Sequence, residues 1–359
     1  MEHQDEFVEK VDNNTYKCPE CGAPMQYDPE SASLKCDYCN RIINLDKVFS
    51  DREVDFYSES DDNLSWQKEN QLIRCASCGN ENVISKKEMS TICPFCGSKQ
   101  VITYDEIPGI KPNRVIPFKL SSDDCITVYR NKIKKKFFVP SKVKKMHLDL
   151  SINGVYIPSW TYDTNTFSTY TGRLGKRYTV TVGTGKNKRT VTKIRWYSIS
   201  GTHLLDFDDV LINSGKSLSQ EDLNSISPFN TNDSIIFEEG YLAGFKAEHY
   251  TKDVKSGFES AKYIMNQRIR YSILSGYSYD VVGDLNIDTH YNRVSYKYVL
   301  LPVWFGILDY KNKKYRFIVN GENGKLKAKY PKSILKILLT IFGIIALVAL
   351  LLLLVNIYG

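Results

Sequence analysis

Between Asp163 and Asp206 the chain has no acidic residue at all, and over its first 333 residues it has no apolar run long enough to cross a bilayer. Histidine is scarce: His3, His147, His203, His249 and His290 are scattered, and none stands beside an obvious nucleophile. There is no Gly-x-Gly-x-x-Gly, no His-Glu-x-x-His and no Gly-x-Ser-x-Gly. These absences remove the dinucleotide fingerprint, the zinc-protease helix and the serine-hydrolase elbow. Gly215-Lys216-Ser217 resembles the end of a phosphate loop, but the glycine required five positions earlier is Val210. No nucleotide site is expected there, and no enzyme activity is expected of the chain. The opening MEHQDEFVEK is acidic and carries no apolar run, so no signal peptide is expected.

Cysteine is what the chain does have. Cys18-Pro-Glu-Cys21 precedes Cys36-Asp-Tyr-Cys39, and Cys75-Ala-Ser-Cys78 precedes Cys93-Pro-Phe-Cys96. In each set 14 residues separate the pairs, and the second set repeats the first 57 positions later. A Cys-x-x-Cys turn aims two sulfurs at one point, and two such turns on a hairpin supply a tetrahedral thiolate site. Gly22, Gly79 and Gly97 end three of the turns and Asn40 ends the fourth, residues that tolerate the positive φ of such a knuckle. Two Zn²⁺ ions, one per ribbon, are predicted on Cys18, Cys21, Cys36, Cys39 and on Cys75, Cys78, Cys93, Cys96. A single iron in the same thiolates is the alternative. The ninth cysteine, Cys125, reads as a small buried apolar residue.

Disulfides would compete for those cysteines in an oxidising compartment, and the far end of the chain argues against one. Ile337 to Val355 is an uncharged stretch of 19 residues. As a helix it is about 28 Å long, close to the hydrocarbon thickness of a bilayer. Lys325, Lys327, Lys329, Lys332 and Lys336 crowd its N-terminal flank. The positive-inside rule therefore predicts a single-pass C-terminal anchor with the bulk of the protein in the cytoplasm, where thiolates stay reduced.

The expected fold is two small all-β zinc ribbons, an α+β, mostly antiparallel, β-rich domain and one C-terminal transmembrane α-helix. The boundaries read as residues 1–45 for the first ribbon, 46–72 for an acidic linker and 73–104 for the second ribbon. Residues 105–330 form the α+β cytoplasmic domain, and 331–359 the juxtamembrane basic segment and anchor. The linker is acidic because Asp46 to Asp62 holds seven acids against two bases. Hairpins are predicted from Met25–Tyr27 to Ser33–Lys35 and from Asn82–Ile84 to Ser90–Ile92. Neither buries a useful core, so metal removal is expected to unfold residues 15–100 and spare the later domain.

Helices are predicted over 122–138, with acids at its start and lysines at its end, and over 253–273. In the latter, Val254, Phe258, Ala261, Met265, Ile269 and Ile273 recur at three- and four-residue steps. Residues 176–199 read as an antiparallel hairpin turning at 183–189. A strand over 281–289 alternates apolar residues with Asp280, Asp284 and Asp288, which read as a solvated face, and a return strand is expected from Val294. A further strand is expected over 315–319.

Within the acid-free stretch lie eight bases: Arg173, Lys176, Arg177, Lys186, Lys188, Arg189, Lys193 and Arg195. Phe167, Tyr170, Tyr178, Trp196 and Tyr197 interleave with them. Such a surface suits single-stranded nucleic acid, anionic lipid headgroups or a protein partner, and the sequence leaves all three open. The lysines at 132–136 raise the same question, against a solvated helix end.

Taken with the Cys-Pro-x-Cys-Gly double ribbon, several short segments carry a family likeness. They are Tyr156-Ile-Pro-Ser-Trp160, Asp209-Val-Leu-Ile-Asn-Ser-Gly-Lys-Ser-Leu218, Tyr241-Leu-Ala-Gly-Phe-Lys-Ala-Glu248, Leu301-Pro-Val-Trp304 and Phe317-Ile-Val-Asn-Gly-Glu-Asn-Gly-Lys325. Over nearly its whole length the chain resembles bacterial membrane-anchored TFIIB-type zinc-ribbon proteins. Members are often labelled helicase- or primosome-related, but this sequence lacks every motor motif. The resemblance implies metal ligation by the eight cysteines and no catalytic residue. It also implies work beside membrane-surface proteins of the phage-shock-A and stomatin/flotillin types, as an adaptor in envelope maintenance or stress. A membrane-tethered nucleic-acid binder using 173–196 is the alternative.

Overall fold

Period-two alternation, unusually prolonged, builds the frame of this protein. The computed structural model describes residues 16–50, 53–58, 70–85, 93–96, 101–104, 109–145, 151–311 and 313–358. Strands β1 (Met25–Asp28), β2 (Ser33–Cys36) and β3 (Ile42–Asn44) make a three-stranded antiparallel sheet. After β4 (Val54–Asp55) come β5 (Asn70–Cys75), β6 (Glu81–Ser85), β7 (Val101–Tyr104) and β8 (Arg114–Val115). Helices α1 (Ser122–Lys134) and α2 (Ser141–Lys145) precede the long strands β9 (Ser151–Val182) and β10 (Arg189–Asn213). Then follow α3 (Gln220–Ile226), β11 (Ile235–Ile236), β12 (Lys246–Glu248) and α4 (Val254–Ser275). Strands β13 (Val281–Tyr310), β14 (Lys313–Asn320) and β15 (Leu326–Ala328) lead into α5 (Ile334–Tyr358).

Strand β9 has 32 residues, on the order of 100 Å at ~3.3 Å each. It lies between β10 and β13, both antiparallel to it. Near its start the same sheet runs β11-β8-β13-β9-β12-β6-β5-β7, so β5–β7 around the second cysteine set are hydrogen-bonded into the main sheet. The farther part of β9, β10 and β13 extends as a three-stranded arm. Past Val281, which pairs with Gly175, the arm narrows to the hairpin 176–182 and 189–195.

Helix α4 covers one face of the arm, and its buried residues are Gly257, Phe258, Ala261, Met265, Ile269, Ile273 and Leu274. The heptad-like stripe was readable because the covered face is a single stripe. Removing one of its large side chains, as in Met265→Ala, is expected to cost about 2–5 kcal/mol. Helix α1 is fixed by a capping box between Ser121 and Asp124, and it buries Cys125, Tyr129 and Ile133. Tyr129 stacks on Phe317 with centroids 3.9 Å apart.

Several expectations are corrected. The helix predicted over 122–138 stops at Lys134, and the chain turns through Phe137 and Phe138 toward Pro140, which disfavours helix in the residue before it. The hairpin predicted over 176–199 is the tip of a far longer pair. The return strand expected from Val294 is a continuation of β13: a bulge between Asn292 and Ser295, with Arg293 at φ 50°, carries the strand through what looked like a turn. The acidic linker contains β4, which pairs with Tyr296 and Ser295 of β13. In the second ribbon β6 pairs with β5, and the expected partner Ser90–Ile92 lies outside the described residues.

Candidate functional site

Two sets of four sulfurs converge. In the first, Cys18 and Cys39 sulfurs are 3.3 Å apart, Cys21 and Cys36 3.5 Å, and Cys21 and Cys39 3.6 Å. In the second, Cys75 to Cys96 and Cys78 to Cys93 are each 3.7 Å. All four sulfurs in each set lie within 4.8 Å of one another. A tetrahedron with ~2.3 Å zinc–sulfur bonds has edges of ~3.8 Å, whereas a disulfide is ~2.05 Å. Both sets therefore have the dimensions of a four-thiolate metal site and can hold zinc.

The knuckles explain the convergence. Gly22 N–H donates to the Cys18 carbonyl, Asn40 to Cys36 and Gly79 to Cys75, at 2.8, 2.9 and 2.8 Å. Each donor has the positive φ expected from sequence: 72°, 60° and 69°. Backbone N–H groups of Cys39 and Tyr38 point at Cys36 and hold its thiol down at about 7. Burial opposes the same effect at Cys75, but the amides of Cys78 and Ser77 and the neighbouring sulfurs still bring it to about 7. At these two cysteines aimed amides favour the thiolate, the form that binds metal. At Cys39 the Arg41 amide is outweighed by the neighbouring sulfurs and burial, which push the thiol up to about 12, and burial raises Cys78 and Cys93.

One segment, 240–248, receives both cysteine lobes. Tyr27 of the first donates its amide to the Ala243 carbonyl at 2.9 Å, and its ring lies 5.4 Å from that of Tyr241. A Cβ on Gly244 would come within 3.2 Å of Gln26, so the glycine permits the close approach of the lobe. At the other end, Ala247 and Glu248 pair with Val83 and Asn82 of the second lobe. Glu248 Oε1 accepts from the amides of Lys216 and Ser217, both at 2.7 Å, and from Asn80 Nδ2 at 3.2 Å; Ser217 Oγ donates to the other carboxylate oxygen. Lys216 Nζ reaches the Gly79 carbonyl at 3.3 Å. The Gly215-Lys216-Ser217 turn thus cradles an anion, but the anion is the protein's own carboxylate. Burial pushes Glu248 up to about 7 against those donors.

Phe95 of the second lobe packs edge to face on Phe305 at 5.1 Å, and the two line a cleft of about 180 Å³ with Arg316, Lys327, Lys329 and Asp222 on its walls. A second polar centre carries no signal in the sequence. Glu53, Asp163 and Asp209 bring carboxylate oxygens within 4.8 Å of one another, and Lys297 bonds Glu53 at 3.0 Å and Asp209 at 2.8 Å. Bulges in β10 and β13 at the level of Asp163 fold these side chains together. Isolated acids separated by tens to hundreds of residues leave no spacing signal.

The eight bases do not share one surface. Arg173 and Arg177 stand on the face opposite α4, with Trp196, Ile194 and Phe167; Arg173 is paired to Asp284 at 2.8 Å. Lys176, Arg189, Lys193 and Arg195 alternate to the other face, where Arg195 lies 5.4 Å from the Tyr178 ring centroid. Lys188 is in the turn, and the side chain of Lys186 lies outside the described residues. Asp280 accepts from the Arg177 amide at 2.7 Å, so the Asp280–Asp284–Asp288 row is partly spent inside the sheet.

Among the described residues, these features define a β-rich protein with two four-cysteine clusters and one helix, 334–354, long and apolar enough to cross a membrane. It is similar to YdjG, an uncharacterized protein of Bacillus subtilis (strain 168), at 28% identity over 323 residues, which span 89% of this chain and 90% of that protein. No protein-family model matches the chain, and no solved structure matches it.

Proposed function

We propose that this chain is a tail-anchored adaptor facing the cytoplasm, which docks partner proteins at the membrane through zinc-held lobes. The observation that carries the reading is the shared segment 240–248, to which both four-cysteine lobes are hydrogen-bonded. A partner held by either lobe is then held by one frame, and that frame continues through β13 and β14 to the apolar helix. Zinc on Cys18, Cys21, Cys36 and Cys39, and on Cys75, Cys78, Cys93 and Cys96, would supply rigidity and folding free energy rather than reactivity. Tyr38, 78% exposed at the tip of one knuckle, and the Phe95 cleft offer contact points. The family resemblance supports partners of the phage-shock-A or stomatin/flotillin type.

The nucleic-acid alternative draws less support. Alternation divides the bases between two faces, and Asp284 neutralises one of the two cations beside Trp196. Purification of the full-length protein from gently solubilised native membranes, with and without nuclease, tests both readings. Membrane-associated proteins that survive nuclease and fall away with Tyr38→Ala support the adaptor. Nucleic acid as the main companion, lost on nuclease treatment, overturns it in favour of the arm.

A further inference from the structure

Two phenylalanines point outward beside the start of the apolar helix. Phe137 is 66% exposed and Phe138 38%, their rings packed edge to face at 5.3 Å. Buried Val139 and Val143, on either side of Pro140, fix the loop that carries them. Lys134 and Lys135 are exposed at the end of α1 immediately before it. The loop is bonded to the helix: Ser333 donates its amide to the Phe138 carbonyl at 2.7 Å, and Lys336 Nζ donates to the carbonyls of Phe137 and Val139 at 3.2 and 2.9 Å. Ser333 directly precedes α5, and Lys336 belongs to its first turn.

The position decides what covers these rings. A helix entering hydrocarbon at Ile337 places its first turn among the headgroups, and the loop is fastened to that turn. Aromatic rings collect at this depth, apolar body inward, and nearby lysines attract anionic headgroups. A solvated helix end would explain the lysines, but it leaves two adjacent exposed phenylalanines without a function.

We infer that Phe137 and Phe138, with Lys134 and Lys135, form a second membrane contact, a loop seated in the headgroup layer of an anionic leaflet. The contact rests on the reading of α5 as a membrane anchor. Its consequence is orientation: a span plus a fixed loop beside it holds the body, and hence the lobes and the arm, at a set angle to the membrane.

The test uses full-length protein in phosphatidylcholine vesicles, with and without phosphatidylglycerol. Photo-reactive benzoylphenylalanine is placed singly at Phe137, at Ile345 within α5 and at Tyr263, exposed on α4, and lipid adducts are read by mass spectrometry. Adducts are expected at 137 and 345 and not at 263. Phosphatidylglycerol should raise the yield at 137 by up to about thirtyfold, the factor that two bases near an anionic surface contribute at ~1 kcal/mol each. Lys134→Glu with Lys135→Glu should cancel that rise and leave position 345 unchanged. Adducts at 345 without any at 137 overturn the loop contact and leave the anchor standing. No adduct at 345 overturns the anchor, and this inference with it. An adduct at 137 indifferent to phosphatidylglycerol overturns the anionic specificity.

Discussion

Asn80 donates to Glu248 across 3.2 Å, joining the knuckle that follows Cys78 to the strand that follows the first lobe's docking segment. Glu248 is nearly fully buried, and its other donors come from Lys216 and Ser217. A buried carboxylate bonded from two sides acts as a joint: removing it leaves the donors on both sides unsatisfied.

Glu248→Ala is therefore expected to destabilise the protein by about 3–5 kcal/mol, because buried donors lose their acceptor. Glu248→Gln should cost less, since one carbonyl oxygen still accepts. Thermal unfolding of the two variants checks the order; equal midpoints for Glu248→Ala and wild type would contradict it.

Metal loss should travel beyond the ribbons. The sequence predicts unfolding confined to 15–100; the pairing of Ala247 and Glu248 with Val83 and Asn82 extends it. Hydrogen exchange after chelation should show protection lost at 246–248 as well as at 70–85, while α4 stays protected. Protection at 246–248 unaffected by chelation would show that the joint does not transmit.

The pH dependence of stability should carry the mark of Asp163. Burial, then its hydrogen bond with Glu53, pushes this carboxyl up to about 8. A raised carboxylate favours folding while protonated, so its contribution is complete below about 4 and disappears as pH rises through about 8. Glu53 has the opposite sign: burial raises it, but bonds from Asp163, Ser295 and Lys297 prevail and lower it, so its contribution is lost in acid. Asp163→Asn keeps a donor for Glu53 and cannot ionise. Its melting temperature should fall less than that of wild type between about pH 6 and about pH 9. Parallel curves would contradict this assignment.

The arm should bind single-stranded DNA weakly and with a shallow salt response. Among the described residues, Arg177 is unneutralised beside Trp196 on the face away from α4, where Arg173 is paired to Asp284, and the largest set on one face is Lys176, Arg189, Lys193 and Arg195. At most four phosphate contacts on one face give a log–log slope no steeper than about −3, whereas eight would approach about −6. Titration of fluorescent oligonucleotide across salt concentrations separates the two.

What the sequence made legible was what spacing encodes. Cys-x-x-Cys pairs with glycine or asparagine behind them specify a local turn, and the α4 stripe from Phe258 to Ile273 specifies one buried face. The full length of the arm is not legible in the sequence, because Thr, Ser and Gly in β9 and β10 give weak alternation and strands seldom exceed ten residues. The break expected between the strand over 281–289 and the return strand from Val294 is a bulge, a distinction made by pairing on the neighbouring strand. Tyr241 to Glu248 stood out as a segment, yet its role in receiving Tyr27 and Asn80 depends on contacts over 160 residues away. The Glu53–Asp163–Asp209–Lys297 centre arises from tertiary pairing alone.

The most direct test is the metal itself. Intact protein purified without added metal should contain two zinc ions per chain, and X-ray absorption should show four sulfur neighbours at about 2.3 Å around each. Cys18→Ser and Cys93→Ser should each reduce the content to one. Chains that carry no metal, or whose cysteines are paired as disulfides at about 2.05 Å, would contradict the account.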